Sequence, residues 1–359
     1  MHQEYPFMKQ QVPSTGRRAC VQLTPRPSVG QRWMAGLFLQ GLSAIVRHAG
    51  SPDAIIARLV HLNRKLGGMH TRYQKCGGLI WPYLEGGRGD PVVLLHGYGA
   101  DKDGFSSLVP FLRRSFRVIV PDLPGFGDHE LDWSLTYGID RQAERLEAFL
   151  QAADVPRCHL LGISLGGYLA ARYAAGFPQR VRSLTLVDSA GFSSPVPSEA
   201  MRLMACRGRN IFLYRNEEEM TELYRYLLHR PLKLPAAVRR YWTGQGLAQR
   251  AWRRKLFDDL IAGGIDTMDG LAHRIQAPTL VVWGAQDRIC HVSAVDGILA
   301  KIANSRAYII QACGHIPIIE YPMLFRKIYL GFLRQVAAGA SPGEGDSRIC
   351  GPPGSLEGS

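Results

Sequence analysis

From Met69 onward the chain alternates short apolar runs with longer amphipathic stretches. Runs of four or five residues with few charges read as buried strands at 91–95, 116–120, 158–161, 183–187, 279–283 and 306–310. Residues 73–75 and 79–84 form an opening antiparallel pair across Gly77-Gly78. Between these runs the apolar positions recur at helical spacing. They do so at 103–114, at 137–153 with Ala143, Leu146, Leu150 and Ala153 inward, at 165–175, and from about Tyr321. Strands that alternate with helices predict an α/β protein with a mostly parallel central sheet and helices on both faces. Residues 192–270 break the alternation. Their helix formers, arginines and aromatics predict a helical cap inserted after the sixth of these strands, lying over the C-terminal strand ends where open α/β sheets bind ligands. The core is thus split into residues 69–191 and 271–337.

The flanks follow other patterns. Residues 1–30 are rich in Pro, Gln, Ser and Arg without period and read as disordered, as does the Gly/Ser/Pro-rich stretch 338–359. Residues 31–68 read as a pair of amphipathic helices. The segment 33–46 is too short and too interrupted to span a bilayer. The second helix, 54–66, gathers Ile55, Ile56, Leu59, Val60 and Leu62 on one face with Arg58, Arg64 and Lys65 beside it. Packing against the core and a signal anchor at 33–46 stand as alternative readings of this pair.

Composition refines the picture. The 359 residues carry a net charge of +13. Residues 1–75 hold eleven Lys/Arg against Glu4 and Asp53, and residues 201–255 hold thirteen against four Glu, so each segment is +9 and the remainder is acidic. Two basic segments outside the core favour peripheral contact with an anionic membrane, with solvated basic faces as the plain alternative. No nucleic-acid motif accompanies them. The seven cysteines are odd in number and lack metal-ligand spacing, which points to reduced thiols, with a Cys290–Cys313 bridge as the alternative. No secretory signal opens the sequence, so a cytoplasmic protein is expected, peripherally membrane-associated if the basic segments act on lipid.

The chemistry is organised around Gly162-Ile163-Ser164-Leu165-Gly166-Gly167, placed between a strand and a helix. This is the G-x-S-x-G pattern of a sharp corner that holds a serine hydroxyl near a helix N-terminus. A serine hydroxyl needs a base, and the base needs an orienting acid. His315 lies just past the last strand and Asp287 just past the strand before it, in the chain order Ser, Asp, His. Asp188, at the end of the 183–187 strand, is the reserve acid. Two backbone donors complete the site: the N–H of Leu165, and the N–H of Tyr98 in the loop His96-Gly97-Tyr98-Gly99. His96 reads as a loop-organising residue. No metal or cofactor is called for.

His96 to Gly99, Asp122-Leu123-Pro124-Gly125-Phe126-Gly127, Gly162 to Gly167, Gly284 to Asp287 and Gly314-His315 resemble the successive landmarks of the α/β-hydrolase superfamily across residues 78–335. Within it, HGYGADKDGF, DLPGFGD and CGHIPIIEYP are most similar to the serine lipase/esterase branch of bacterial lipases and monoacylglycerol-lipase-like enzymes. That resemblance implies an α/β-hydrolase fold and hydrolysis of carboxylic esters, acylglycerols included, through an acyl-enzyme. Asp128-His129-Glu130 departs from the small serine usual after Gly127. Leu203, Met204, Phe212 and Tyr214 are candidate substrate-binding residues in the cap. Competing readings are a carbon–carbon bond (meta-cleavage product) hydrolase, a cofactor-free perhydrolase on the same triad, and a ligand receptor retaining a slow triad.

Overall fold

The structure is a computed structural model that describes residues 19–25, 52–231 and 236–339. The expected helix at 33–46 and nearly all of the expected C-terminal tail lie outside the described residues. A nine-stranded sheet forms the centre of the described residues, in the spatial order β1-β9-β8-β7-β6-β4-β5-β3-β2. Its strands are β1 (Ala19–Leu23), β2 (His70–Cys76), β3 (Leu79–Gly86), β4 (Pro91–Leu95), β5 (Arg117–Pro121), β6 (Cys158–Ile163), β7 (Val181–Val187), β8 (Thr279–Gly284) and β9 (Ser305–Ile310). The pairings β2–β3 and β3–β5 are antiparallel. All others are parallel. The mostly parallel sheet and the alternating order are those read from the sequence.

Strand periodicity sorts the core into two layers. On β4, Val93 and Leu95 face one layer while Val92 and Leu94 face the other. Val281 and Trp283 against Leu280 and Val282 do the same on β8. The first layer is filled by helices α3 (Ile139–Ala152) and α4 (Leu165–Gly176), through Leu146, Phe149 and Leu150 and through Leu169, Ala170 and Tyr173. The second is filled mainly by α11 (Pro322–Ala337), through Phe325, Ile328, Tyr329 and Phe332.

Two expectations are corrected. Residues 1–30 are not wholly without order: Ala19–Leu23 add a parallel edge strand to β9, with Val21 opposite Tyr308. Val21 and Leu23 pack on the second core layer, which gives this short segment a reason to pair. The helix expected over 103–114 is broken into a 3-10 turn at Lys102–Phe105 and a short α2 (Val109–Leu112). Pro110 sits in the first turn of α2, and in a longer helix its ring would strike the carbonyl of residue 106.

Helix α1 (Pro52–Leu66) is tied to the core by Arg64, whose guanidinium makes paired hydrogen bonds of 2.7 and 2.5 Å to Asp103. After β7 come α5 (Glu199–Arg207), α6 (Glu217–Leu227), α7 (Ala236–Ala248) and α8 (Arg250–Ile261), which form the cap. Two of them are capped by side chains, Ser198 accepting from Met201 N–H and Asn216 from Glu219 N–H. Part of the cap's basic charge is met internally by Arg209–Glu222, Arg215–Glu219 and Arg239–Glu217 ion pairs. Helix α9 (Ala294–Lys301) and the single turn α10 (Pro317–Glu320) complete the set. No helix among the described residues is long and apolar enough to cross a membrane.

Candidate active site

Ser164 follows β6 directly and precedes α4. Its backbone sits at φ 55°, ψ −117°, a conformation that L residues rarely take. The corner is held by its own backbone: Ser164 N–H donates to Val187 O (2.9 Å), and Ser164 O accepts from Tyr168 N–H (3.0 Å) and Ala190 N–H (3.1 Å). The flanking glycines are required sterically. A Cβ on Gly162 would collide with the Gly166 carbonyl, and one on Gly166 with the Leu95 carbonyl. The Leu165 N–H lies in the first turn of α4, where no intrahelical acceptor exists and the helix dipole favours negative charge.

The loop after β4 runs against this corner. A Cβ on Gly97 would stand 3.3 Å from Ser164 Cβ, so only glycine lets the backbone leading to Tyr98 come this close without displacement. The Tyr98 hydroxyl donates to the Arg253 carbonyl of the cap, and its ring packs on Phe126, Phe212 and Phe257. His96 is buried. Its Nδ1 donates to the Gly97 carbonyl (2.9 Å) and its Nε2 accepts from Leu123 N–H (3.0 Å), a pairing that a neutral ring satisfies. Burial also lowers its pKa. The expected loop-organising part is visible in those two bonds.

Asp287 follows β8, and His315 follows β9. The His315 Nδ1 lies 2.8 Å from Asp287 Oδ2. Asp287 Oδ1 accepts from Ile289 N–H (2.7 Å) and Cys290 N–H (3.0 Å), so the carboxylate is fixed by its own turn. His315 is 2% exposed, and its backbone N–H donates to Leu227 O at the end of α6 (2.8 Å). The cap therefore touches the loop that carries the imidazole. Ser164, Asp287 and His315 all lie at the C-terminal ends of parallel strands, on one rim of the sheet. Among the described residues the Ser164 hydroxyl makes no hydrogen bond to His315; such bonds are commonly long before substrate binds. The reserve acid, Asp188, is buried beside Asp287.

A cavity of about 170 Å³ opens over Ser164. Met204 and Phe212 line it, as expected, together with Tyr98 and Leu165. Leu203 and Tyr214 do not. On α5 the inward positions are Ala200, Met201 and Met204, and Leu203 falls outside that stripe. Tyr214 is spent inside the cap, its hydroxyl donating to Trp242 O (3.2 Å) and accepting from Arg253 (3.3 Å). Phe257, Leu260 and Ile265 also line the cavity and were not singled out by sequence. The signal for Phe257 and Leu260 was the apolar face of the α8 stretch; Ile265 lies past the end of α8. Cys290 and Cys313 are both free, so the bridge is not formed. Among the described residues, Asp287, Cys290 and His315 group closely enough to suggest a metal, but both oxygens of Asp287 are already engaged by the bonds above.

Comparison with known proteins meets this geometry. A family described as alpha/beta hydrolase fold matches residues 90–322. The chain belongs to the α/β-hydrolase family. This α/β hydrolase is 31% identical to Lipase 1 of Psychrobacter immobilis over 242 residues, 66% of this chain and 75% of that one. It is 28% identical to monoacylglycerol lipase ABHD6 of Homo sapiens over 297 residues, 79% of this chain and 88% of that one. Among solved structures it superposes on a membrane phospholipase A, a bacterial virulence factor, with a TM-score of 0.78 and 33% identity, covering 86% of this chain and 99% of that one.

Proposed function

We propose that this α/β hydrolase is a serine carboxylic-ester hydrolase acting on fatty-acyl esters, acylglycerols among them, through an acyl-enzyme. The observation that carries the reading is the strained Ser164 corner sharing one strand-end rim with the hydrogen-bonded His315–Asp287 pair. Ser164 Oγ attacks the ester carbonyl as His315 Nε2 takes its proton. Asp287 holds the ring with its proton on Nδ1 and stabilises the imidazolium. The N–H groups of Leu165 and Tyr98 receive the oxyanion. His315 then protonates the departing alcohol and activates water for deacylation.

The cavity supports an acyl substrate. Met201, Met204, Phe192, Phe212 and Phe257 give it a largely apolar surface, and the one arginine in its lining, Arg209, is already paired with Glu222 at 2.5 Å. The names of the relatives, lipases and a phospholipase, point to the same substrate class. The test is a p-nitrophenyl ester series from acetate to palmitate run beside monoacylglycerols, with Ser164→Ala as control. Turnover of the medium and long chains that vanishes in the variant supports the proposal. Turnover that survives it removes the nucleophile.

The cap also carries exposed Trp242, Leu247 and Arg240 on α7. Basic and aromatic side chains together suit an anionic lipid surface. Binding to anionic vesicles that weakens in a Trp242→Ala/Leu247→Ala variant supports peripheral membrane contact, and unchanged binding refutes the part assigned to α7.

A further inference from the structure

Asp188 follows β7, and Asp287 follows the neighbouring β8. Asp188 N–H donates to Val282 O (3.0 Å), and Asp188 Oδ1 accepts from Gly284 N–H (2.9 Å). The same Gly284 accepts from Asp287 N–H (3.2 Å) through its carbonyl, so one residue holds both acids. Asp188 takes φ 44°, a left-handed conformation that a non-glycine residue adopts at a cost. Its side chain is fully buried, and among the described residues Oδ2 has no N–H or hydroxyl donor. The polar group within hydrogen-bonding reach of that side chain is the Asp287 carboxylate.

Two adjacent carboxylates cut off from water cannot both be ionised without a cation between them. Among the described residues, the titratable groups facing this pair are Glu320, the thiols of Cys290 and Cys313, and the rings of His291 and His315. None is a cation free to neutralise it: burial lowers the His291 pKa, His315 is engaged by Asp287 Oδ2, and the others are acids. Asp287 already accepts three donors, whereas Asp188 accepts one at Oδ1 and, among the described residues, none at Oδ2. The proton therefore belongs to Asp188.

Resting on the triad reading above, we infer that Asp188 is a neutral carboxylic acid whose O–H donates to the Asp287 carboxylate, making it a positioning residue for the catalytic acid. Burial first, and then the charge of Asp287, raise the Asp188 pKa well above the usual carboxylate range. The fourth donor fixes the plane of the Asp287 carboxylate against the His315 ring.

Asparagine reproduces this arrangement, since its amide oxygen can accept from Gly284 N–H while its NH₂ donates to Asp287. Asp188→Asn is expected to keep kcat/KM within about threefold of wild type. Asp188→Ala is expected to lose about tenfold to a hundredfold in kcat, as for loss of a hydrogen bond to a charged group. An infrared spectrum at neutral pH is expected to show the carbonyl stretch of a buried carboxylic acid that disappears in Asp188→Asn. Absence of that band, or an Asp188→Asn protein that folds but is as impaired as Asp188→Ala, overturns the inference. Recording the band in the Ser164→Ala protein keeps the two readings apart. Turnover by that protein bears on the nucleophile, while loss of the band bears on Asp188.

Discussion

The Lys102 ammonium lies 2.6 Å from the Asp122 carboxylate, and both side chains are shut off from solvent, at 1% and 0% exposure. Asp122 also accepts the backbone N–H of Lys102 (2.7 Å) and of Asp128 (2.9 Å), and Lys102 reaches Asp128 at 2.6 Å. Together with His96 bonded to Gly97 and Leu123, this network pins the loop carrying Tyr98 to the turn 122–128. Burial disfavours the Lys102 charge, but Asp122 and Asp128 outweigh it and raise its pKa overall. Lys102→Met leaves Asp122 buried without its cation and is expected to cost about 3–5 kcal/mol of stability. It should also lower kcat more than it raises KM, because the donor it displaces acts on the oxyanion. Adding Asp122→Asn should recover part of the stability. Denaturant unfolding and steady-state kinetics on the two variants check this.

Ser164 is held at φ 55°, ψ −117° by neighbours that fix the corner. Such a conformation costs of order 1–3 kcal/mol in a non-glycine residue. Ser164→Gly relieves it, less the entropy glycine gains when unfolded, and is expected to be about 1 kcal/mol more stable than wild type and inactive. Ser164→Ala keeps the strain and should unfold near the wild-type midpoint. Paired denaturation curves decide the point.

Burial depresses His129 and His159, both outside the candidate triad, to about 4 each. Both are neutral in the folded protein at pH 7 and would titrate near 6.5 when unfolded. The unfolded chain thus binds more protons between these values, and stability falls as pH drops from about 6.5 toward 4. Each contributes on the order of 2–3 kcal/mol to that loss. His129→Gln, which keeps a donor for the Asp122 carbonyl, should flatten the slope of unfolding free energy against pH across this window. An unchanged slope would exclude His129 as a contributor.

Ala200 sits on the inward stripe of α5, facing the cavity. Ala200→Phe is expected to shorten the space for the acyl chain. Turnover of a palmitate ester relative to a butyrate ester should drop about tenfold or more, the scale of a few methylenes in an apolar pocket. Chain-length profiles of the two proteins measure it.

What could be read in the sequence follows from how local its cause is. β4, β6, β7, β8 and β9 are buried on both faces, so their apolar runs stand out, and the α/β class and the cap followed from them. The positions of Ser164, Asp287 and His315 just beyond strand ends were legible because glycines with local steric roles surround them. β1 was not, since five residues at a sheet edge, ACVQL, gain their order from β9, nearly three hundred residues away. The cavity walls were half legible: Met204 and Phe212 face it, while Leu203 and Tyr214 do not, because the rotation of α5 and the path of the segment joining α5 to α6 are set by packing. The nearness of Asp188 to Asp287 depends on strand register, which no local pattern reveals.

The central claim is that Ser164 carries the acyl group. Acid-quenched mass spectrometry of the enzyme turning over a p-nitrophenyl ester, followed by peptide mapping, tests it directly. The account predicts one acyl adduct per chain on the peptide containing Ser164, with both adduct and turnover absent in Ser164→Ala. An adduct on another residue, or undiminished hydrolysis by Ser164→Ala, would contradict it.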